Sequence, residues 1–123
     1  MIVVIAGIVV WSTVNGVGVE EKSGEAPMVF FVTQGSPNPF RYKIEFMYGV
    51  PDTGKVEIIV YDIAGREVAG LGHGEKKPGC YTMCWSGKNE WGQRLKSGIY
   101  FCRVKISDFI AVRKFIFLAP QSY

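Results

Sequence analysis

From residue 28 onward, apolar and polar residues alternate in short runs separated by turn-forming residues, the rhythm of an antiparallel sandwich. Tyr42, Ile44, Phe46 and Tyr48 alternate with Lys43, Glu45 and Met47. A period of two sends one side of a strand inward. Val56, Ile58 and Val60 do the same against Lys55 and Glu57, as do Tyr81, Met83 and Trp85 against Cys80, Thr82 and Cys84. Gly98 to Ile106 and Phe109 to Leu118 read as long strands joined at Ser107-Asp108. Met28 to Thr33 and Arg66 to Leu71 bring the set to seven. The separators have mechanisms. Pro37 and Pro39 cannot donate to a ladder. Asp62 can bond forward to backbone N–H groups, and Gly65 can adopt positive φ without a steric cost. Gly72 to Gly79 reads as a mobile loop and Ser86 to Arg94 as a polar one. No segment carries a helical period. The pattern predicts an all-β fold, a seven-stranded antiparallel Ig-like β-sandwich with an apolar N-terminal segment outside it.

That segment runs unbroken from Met1 to Trp11, and its first charges are Glu20, Glu21 and Lys22. It is shorter than the roughly 20 residues a spanning helix needs, so no integral membrane span is expected. Two readings stay open for residues 1–19. One is a signal peptide cleaved near Val14-Asn15-Gly16 or Gly16-Val17-Gly18, although no Lys or Arg precedes the run. The other is a remnant strand of an upstream domain, which the β-branched residues favour. Residues 20–27 read as a linker, 28–118 as the sandwich and 119–123 as a tail.

Composition narrows the chemistry. The chain has 123 residues, enough for one domain with a real core. A net charge of +3, with no basic run longer than Lys76-Lys77 or Arg113-Lys114, argues against nucleic acid as a partner. His73 is the single histidine, and it sits in a glycine-flanked stretch with nothing to orient it toward a nucleophile. No enzyme, cofactor or metal is expected. Ser86, Asn89 and Glu90 could offer oxygens to Ca²⁺, but a single carboxylate beside Lys88 and Arg94 is a poor calcium set.

Individual residues divide into core and surface. Trp85, Tyr48, Val56, Ile58, Val60 and Val104 are expected in the core. Trp91, between Glu90 and Gly92, either lies back over the sandwich end or stands exposed as a contact residue. Arg66 either pairs with Asp62 across the turn or serves recognition. Lys114 either guards a sheet edge or serves recognition. Cys80 and Cys84 share a strand face too far apart to bridge each other. The cysteines are read as buried thiols, with a Cys84–Cys102 disulfide as the alternative.

Four stretches in one order resemble a known family. They are Pro37-Asn38-Pro39-Phe40 with Pro51 beyond it, and Val56 to Val68, similar to V-x-L-x-V-Y-D-x-x-G-R-x-V. Pro78-Gly79 through Trp85-Ser86-Gly87 is the third, and Gly92 through Leu95, Ser97-Gly98-Ile99-Tyr100 and Lys114 is the fourth. Together, over about residues 28–118, they resemble the type A C-terminal sorting domain of type IX secretion, whose Ig-like unit is similar to that of flagellar hook-capping proteins. The chain departs from the pattern at Arg41-Tyr42, at Ser86 and in the tail after Leu118. The resemblance implies a sorting module recognised by the type IX translocon and a surface sortase. It implies a cargo domain upstream, and passage through the periplasm to the outer-membrane surface or the medium. It also implies recognition through Pro37, Asn38, Pro39, Gly65, Arg66, Gly98, Tyr100 and Lys114. The alternatives are a structural Ig-like protein–protein module and a glycan-binding module using Trp91.

Overall fold

The computed structural model describes residues 2–5, 8–12, 19–23 and 26–120. The described residues form ten strands and no helix. Seven of them occupy the region read as the sandwich: β4 (Phe31–Val32), β5 (Ile44–Val50), β6 (Gly54–Asp62), β7 (Glu67–Lys76), β8 (Gly79–Trp85), β9 (Gly98–Ile106) and β10 (Phe109–Phe117). Three precede them: β1 (Ile2–Ile5), β2 (Ile8–Ser12) and β3 (Val19–Ser23). Two antiparallel sheets result, in the orders β1-β2-β3-β8-β5-β4 and β10-β9-β6-β7.

The N-terminal segment is therefore not outside the sheet, and residues 19–23 are not linker. β3 pairs with β8 from Val19 opposite Cys84 to Ser23 opposite Cys80. The reason is backbone supply. β5 satisfies one side of β8, and the other side would otherwise present a row of unpaired N–H and C=O groups. Strand pairing needs no apolar side chains, so Glu20, Glu21 and Lys22 suffice. Lys22 also sets its ammonium 5.8 Å from the centre of the Tyr81 ring. The candidate signal-cleavage sites at 14–18 lie outside the described residues, as do 24–25 of the linker reading and 121–123 of the tail.

Two further expectations change. The mobile loop at Gly72 to Gly79 is mostly strand. Gly72, His73, Gly74, Glu75 and Lys76 pair with Ile58, Glu57, Val56, Lys55 and Gly54. Glycines carry no side chain to reveal alternation, yet they bring full backbone bonding capacity to the exposed side of β6. The first sandwich strand is only Phe31–Val32; just beyond it the Thr33 N–H still donates to the Met47 carbonyl, but the Met47 N–H donates to the Thr33 hydroxyl, which interrupts the ladder.

The core lies between β5 and β8 on one side and β6, β9 and β10 on the other. Trp85, Tyr48, Ile58, Val60, Val56 and Val104 are all buried. An aromatic cluster closes one end. Phe40 lies 5.6 Å from Trp85 and 4.9 Å from Phe117 between ring centres, and Tyr100 meets Trp85 edge-on at 5.5 Å. The indole N–H of Trp85 donates to the Lys88 carbonyl at 3.0 Å, so burial leaves no orphaned donor there. Phe30 stacks on Phe109, and Arg113 donates to the Val32 carbonyl, tying β4 to β10 across the sandwich.

Candidate recognition surface

The Pro37-Asn38-Pro39-Phe40 stretch works against the edge of β10. Both Ser36–Pro37 and Asn38–Pro39 are cis. The Asn38 carboxamide donates to the Lys114 carbonyl at 2.8 Å and accepts from the Ile116 N–H at 2.8 Å. The Phe40 N–H donates to the Ile116 carbonyl, and the Leu118 N–H donates to the Phe40 carbonyl, each at 2.9 Å. A side chain and one backbone residue thus replace a neighbouring strand over the second half of β10. Phe40 meanwhile enters the core. Asn38 does this because its amide carries both a donor and an acceptor, as a peptide group does.

The β6–β7 turn is organised by Asp62. One carboxylate oxygen accepts from the Ala64 and Arg66 N–H groups, each at 2.9 Å. The other accepts from the Arg66 guanidinium at 2.9 Å. Gly65 supplies φ +80°, the left-handed conformation that an L side chain resists. The Arg66 backbone bond does most to hold the Asp62 carboxyl below its ordinary value. Partial desolvation opposes it, and the Arg66 side chain and Ala64 N–H add to it. Arg66 both pairs with Asp62 and stays displayed, its side chain 80% exposed.

Gly98 and Tyr100 are parts of the frame. Gly98 opens β9 opposite Phe117. The Tyr100 ring is buried, and its hydroxyl donates to the Lys96 carbonyl at 2.6 Å. Burial, with a smaller push from the Asp62 charge, raises its phenol. Lys114 points outward from β10. A single cross-strand row joins Lys114, Phe101, Tyr61 and Glu67. Lys114 and the turn bearing Arg66 therefore flank the same end of one sheet face. Between them on that row lie Phe101 and Tyr61.

Trp91 stands at the tip of a built loop. Asn89 accepts at its side-chain oxygen from the Trp91 and Gln93 N–H groups, each at 3.0 Å, and its amide donates to the Gln93 side chain. The indole is 74% exposed. This places Trp91 away from the sandwich end and spends Asn89 on loop geometry. Among the described residues no group of three His, Cys, Asp or Glu is arranged to hold a metal ion.

The Cys84–Cys102 disulfide is overturned. The two residues stand in different sheets. Cys84 shares the outward side of β8 with Cys80, whereas Cys102 faces the core between Tyr100 and Val104. All three are thiols. Only Cys102 is buried, and burial pushes its thiol far up. A Cys84–Cys102 bridge needs β8 and β9 side by side, but the twelve residues between them carry the chain from one sheet to the other.

One cluster carries no periodic signal. On the outer face of the four-stranded sheet, Arg103 pairs with Glu57 and lies 5.6 Å over the Tyr61 ring. Its Nε is buried without a hydrogen-bond partner.

Comparison with known proteins agrees with this architecture. No curated protein matches the chain. Among solved structures it is similar to dimeric latent PorU from Porphyromonas gingivalis, with a TM-score of 0.55 and 18% identity over 84% of this chain. The match spans 12% of that protein's length, and at this identity it speaks to the fold. Residues 43–108, more than half of the sequence, match the FlgD Ig-like domain, and the chain belongs to that family.

Proposed function

We propose that this Ig-like unit is a sorting domain of type IX secretion. It works by surface recognition and not by chemistry, and it directs a linked cargo from the periplasm across the outer membrane. The observation that carries the reading is the division of labour among the motif residues. Asn38, Phe40, Gly98 and Tyr100 are consumed in building one end of the sandwich. Arg66 and Lys114 project from that same end. Motifs kept in one order along a chain fit a module whose frame exists to present a few side chains. The partners proposed are the translocon and a surface sortase. The test is to fuse the full chain behind an exported fluorescent cargo in a cell with type IX secretion. Surface or extracellular fluorescence supports the reading, and cargo that stays in the periplasm overturns it.

A second reading is favoured by the family match. On this reading the FlgD Ig-like unit would be a packing module in an assembly and not an address. It predicts a stable complex with a filament or envelope partner and no dependence on secretion machinery.

A further inference from the structure

We propose that the first half of β10 is a docking edge for an extended peptide strand, bearing two alternating apolar side chains and, at its start, a carboxylate. The inference deepens the recognition reading above by naming what the face would bind.

β10 is the outermost strand of its sheet. Its even-numbered residues turn their backbone groups toward the open side, as the bonds of Lys114 and Ile116 to Asn38 and of Ile116 to Phe40 establish. From Lys114 O onward that side is occupied. Before it, the Val112 carbonyl accepts from the Arg113 guanidinium at 3.0 Å. The N–H and C=O of Ile110 and the N–H groups of Val112 and Lys114 have no partner among the described residues. The strand is thus sealed over its second half, while its first half keeps four open backbone groups beside the Arg113 guanidinium, which bridges the Val112 and Val32 carbonyls.

Natural sheets usually blunt an open edge with lysine, proline or a bulge. Here the open half presents Ile110 and Val112, 55% and 51% exposed, and its register with β9 runs without a bulge. A guest strand would find backbone bonds for affinity and apolar neighbours on alternate positions for selectivity. Charge decides the rest of the occupant. Lys114 closes the open stretch, projects outward and makes no ion pair among the described residues. An antiparallel guest opposes Lys114 first, then Val112, then Ile110. A carboxylate followed by two apolar residues at alternate positions therefore complements the edge. Asn38 limits the guest to this stretch, because the Lys114 carbonyl is already taken.

The test uses the full chain and a synthetic peptide Gly-Glu-Thr-Val-Thr-Val-Gly carrying a C-terminal fluorophore. Fluorescence anisotropy gives affinity, and amide NMR shifts give the site. The expected result is saturable binding with shifts at the Ile110, Val112 and Lys114 amides. Val112→Pro removes an N–H that faces the open side and leaves the β9 ladder intact. It is expected to weaken binding by roughly tenfold or more at unchanged melting temperature. Lys114→Glu is expected to weaken the Glu peptide and to favour the same peptide with Lys in place of Glu. Absence of shifts at those three amides, or equal affinity for Val112→Pro, overturns the proposal. Failure here with successful secretion of the fused cargo would leave the sorting reading standing, and the reverse pair of outcomes would separate them equally well.

Discussion

The Asn38 side chain accepts a hydrogen bond from the backbone N–H of Ile116 at 2.8 Å while donating to the carbonyl two residues earlier, at Lys114. This pairing across 78 positions of sequence makes one carboxamide do the work of a strand. Asn38→Ala removes both bonds at a solvent-accessible edge, where water can partly replace them. The expected loss is about 1–2 kcal/mol by urea unfolding. Asn38→Asp is expected to cost at least as much, since a carboxylate cannot donate to Lys114 O.

Phe40 follows in the same stretch and fills the space between Trp85 and Phe117. Phe40→Ala is expected to destabilise by about 3–5 kcal/mol. It should also loosen the Trp85 environment, seen as a weakened near-ultraviolet circular dichroism band before global unfolding.

Two glycines with positive φ should respond differently to alanine. Gly65, at φ +80°, has open space where a Cβ would go. Gly87, at φ +73°, would place a Cβ 2.5 Å from the Phe117 ring. Gly65→Ala is expected to cost about 1–2 kcal/mol in backbone strain alone. Gly87→Ala should cost clearly more in the same denaturation series, because strain and overlap with a buried ring add.

The Asp62 turn has a pH signature. Its folded-state carboxyl sits below the ordinary aspartate value of about 3.9. The stability it contributes is therefore present above that value and is lost as pH falls through the folded one. Arg66→Ala should raise the Asp62 value only part of the way in a carboxyl NMR titration. The Arg66 and Ala64 N–H groups continue to donate, and the main-chain bond from position 66 is the largest cause of the shift. Full return to the ordinary value would contradict the backbone assignment.

The cysteines should divide by reactivity. The thiolate is the attacking form, and burial disfavours it at Cys102. Alkylation of the folded chain at mildly alkaline pH, read by peptide mass spectrometry, is expected to mark Cys80 and Cys84 and to spare Cys102 until denaturant is added.

The sandwich strands were legible wherever large side chains alternate. Ile44, Phe46 and Tyr48 on β5 and Tyr100, Cys102 and Val104 on β9 fall on the inward side as their spacing requires. Legibility failed where pairing is carried by backbone alone. Gly70, Gly72 and Gly74 hide β7, and the polar residues of β3 disguise a strand that completes the far side of β8. Asn38 was visible as part of a motif, but its bonds to β10 were not, because a side chain standing in for a strand leaves no period. The cysteine pairing failed for a topological reason: neighbours in sequence changed sheets.

The bonds that seal β10 have a temporal consequence. Val32 meets Arg113 across 81 positions and Asn38 meets Lys114 across 76. Contacts of such separation form late, after a large loop has been closed. A nascent chain that stops short of β10 leaves Phe40 without Phe117 and Asn38 without Lys114 and Ile116, so the sandwich completes only when that strand arrives. Any partner that pairs with β10 thereby distinguishes a finished domain from an unfinished one without sensing anything else.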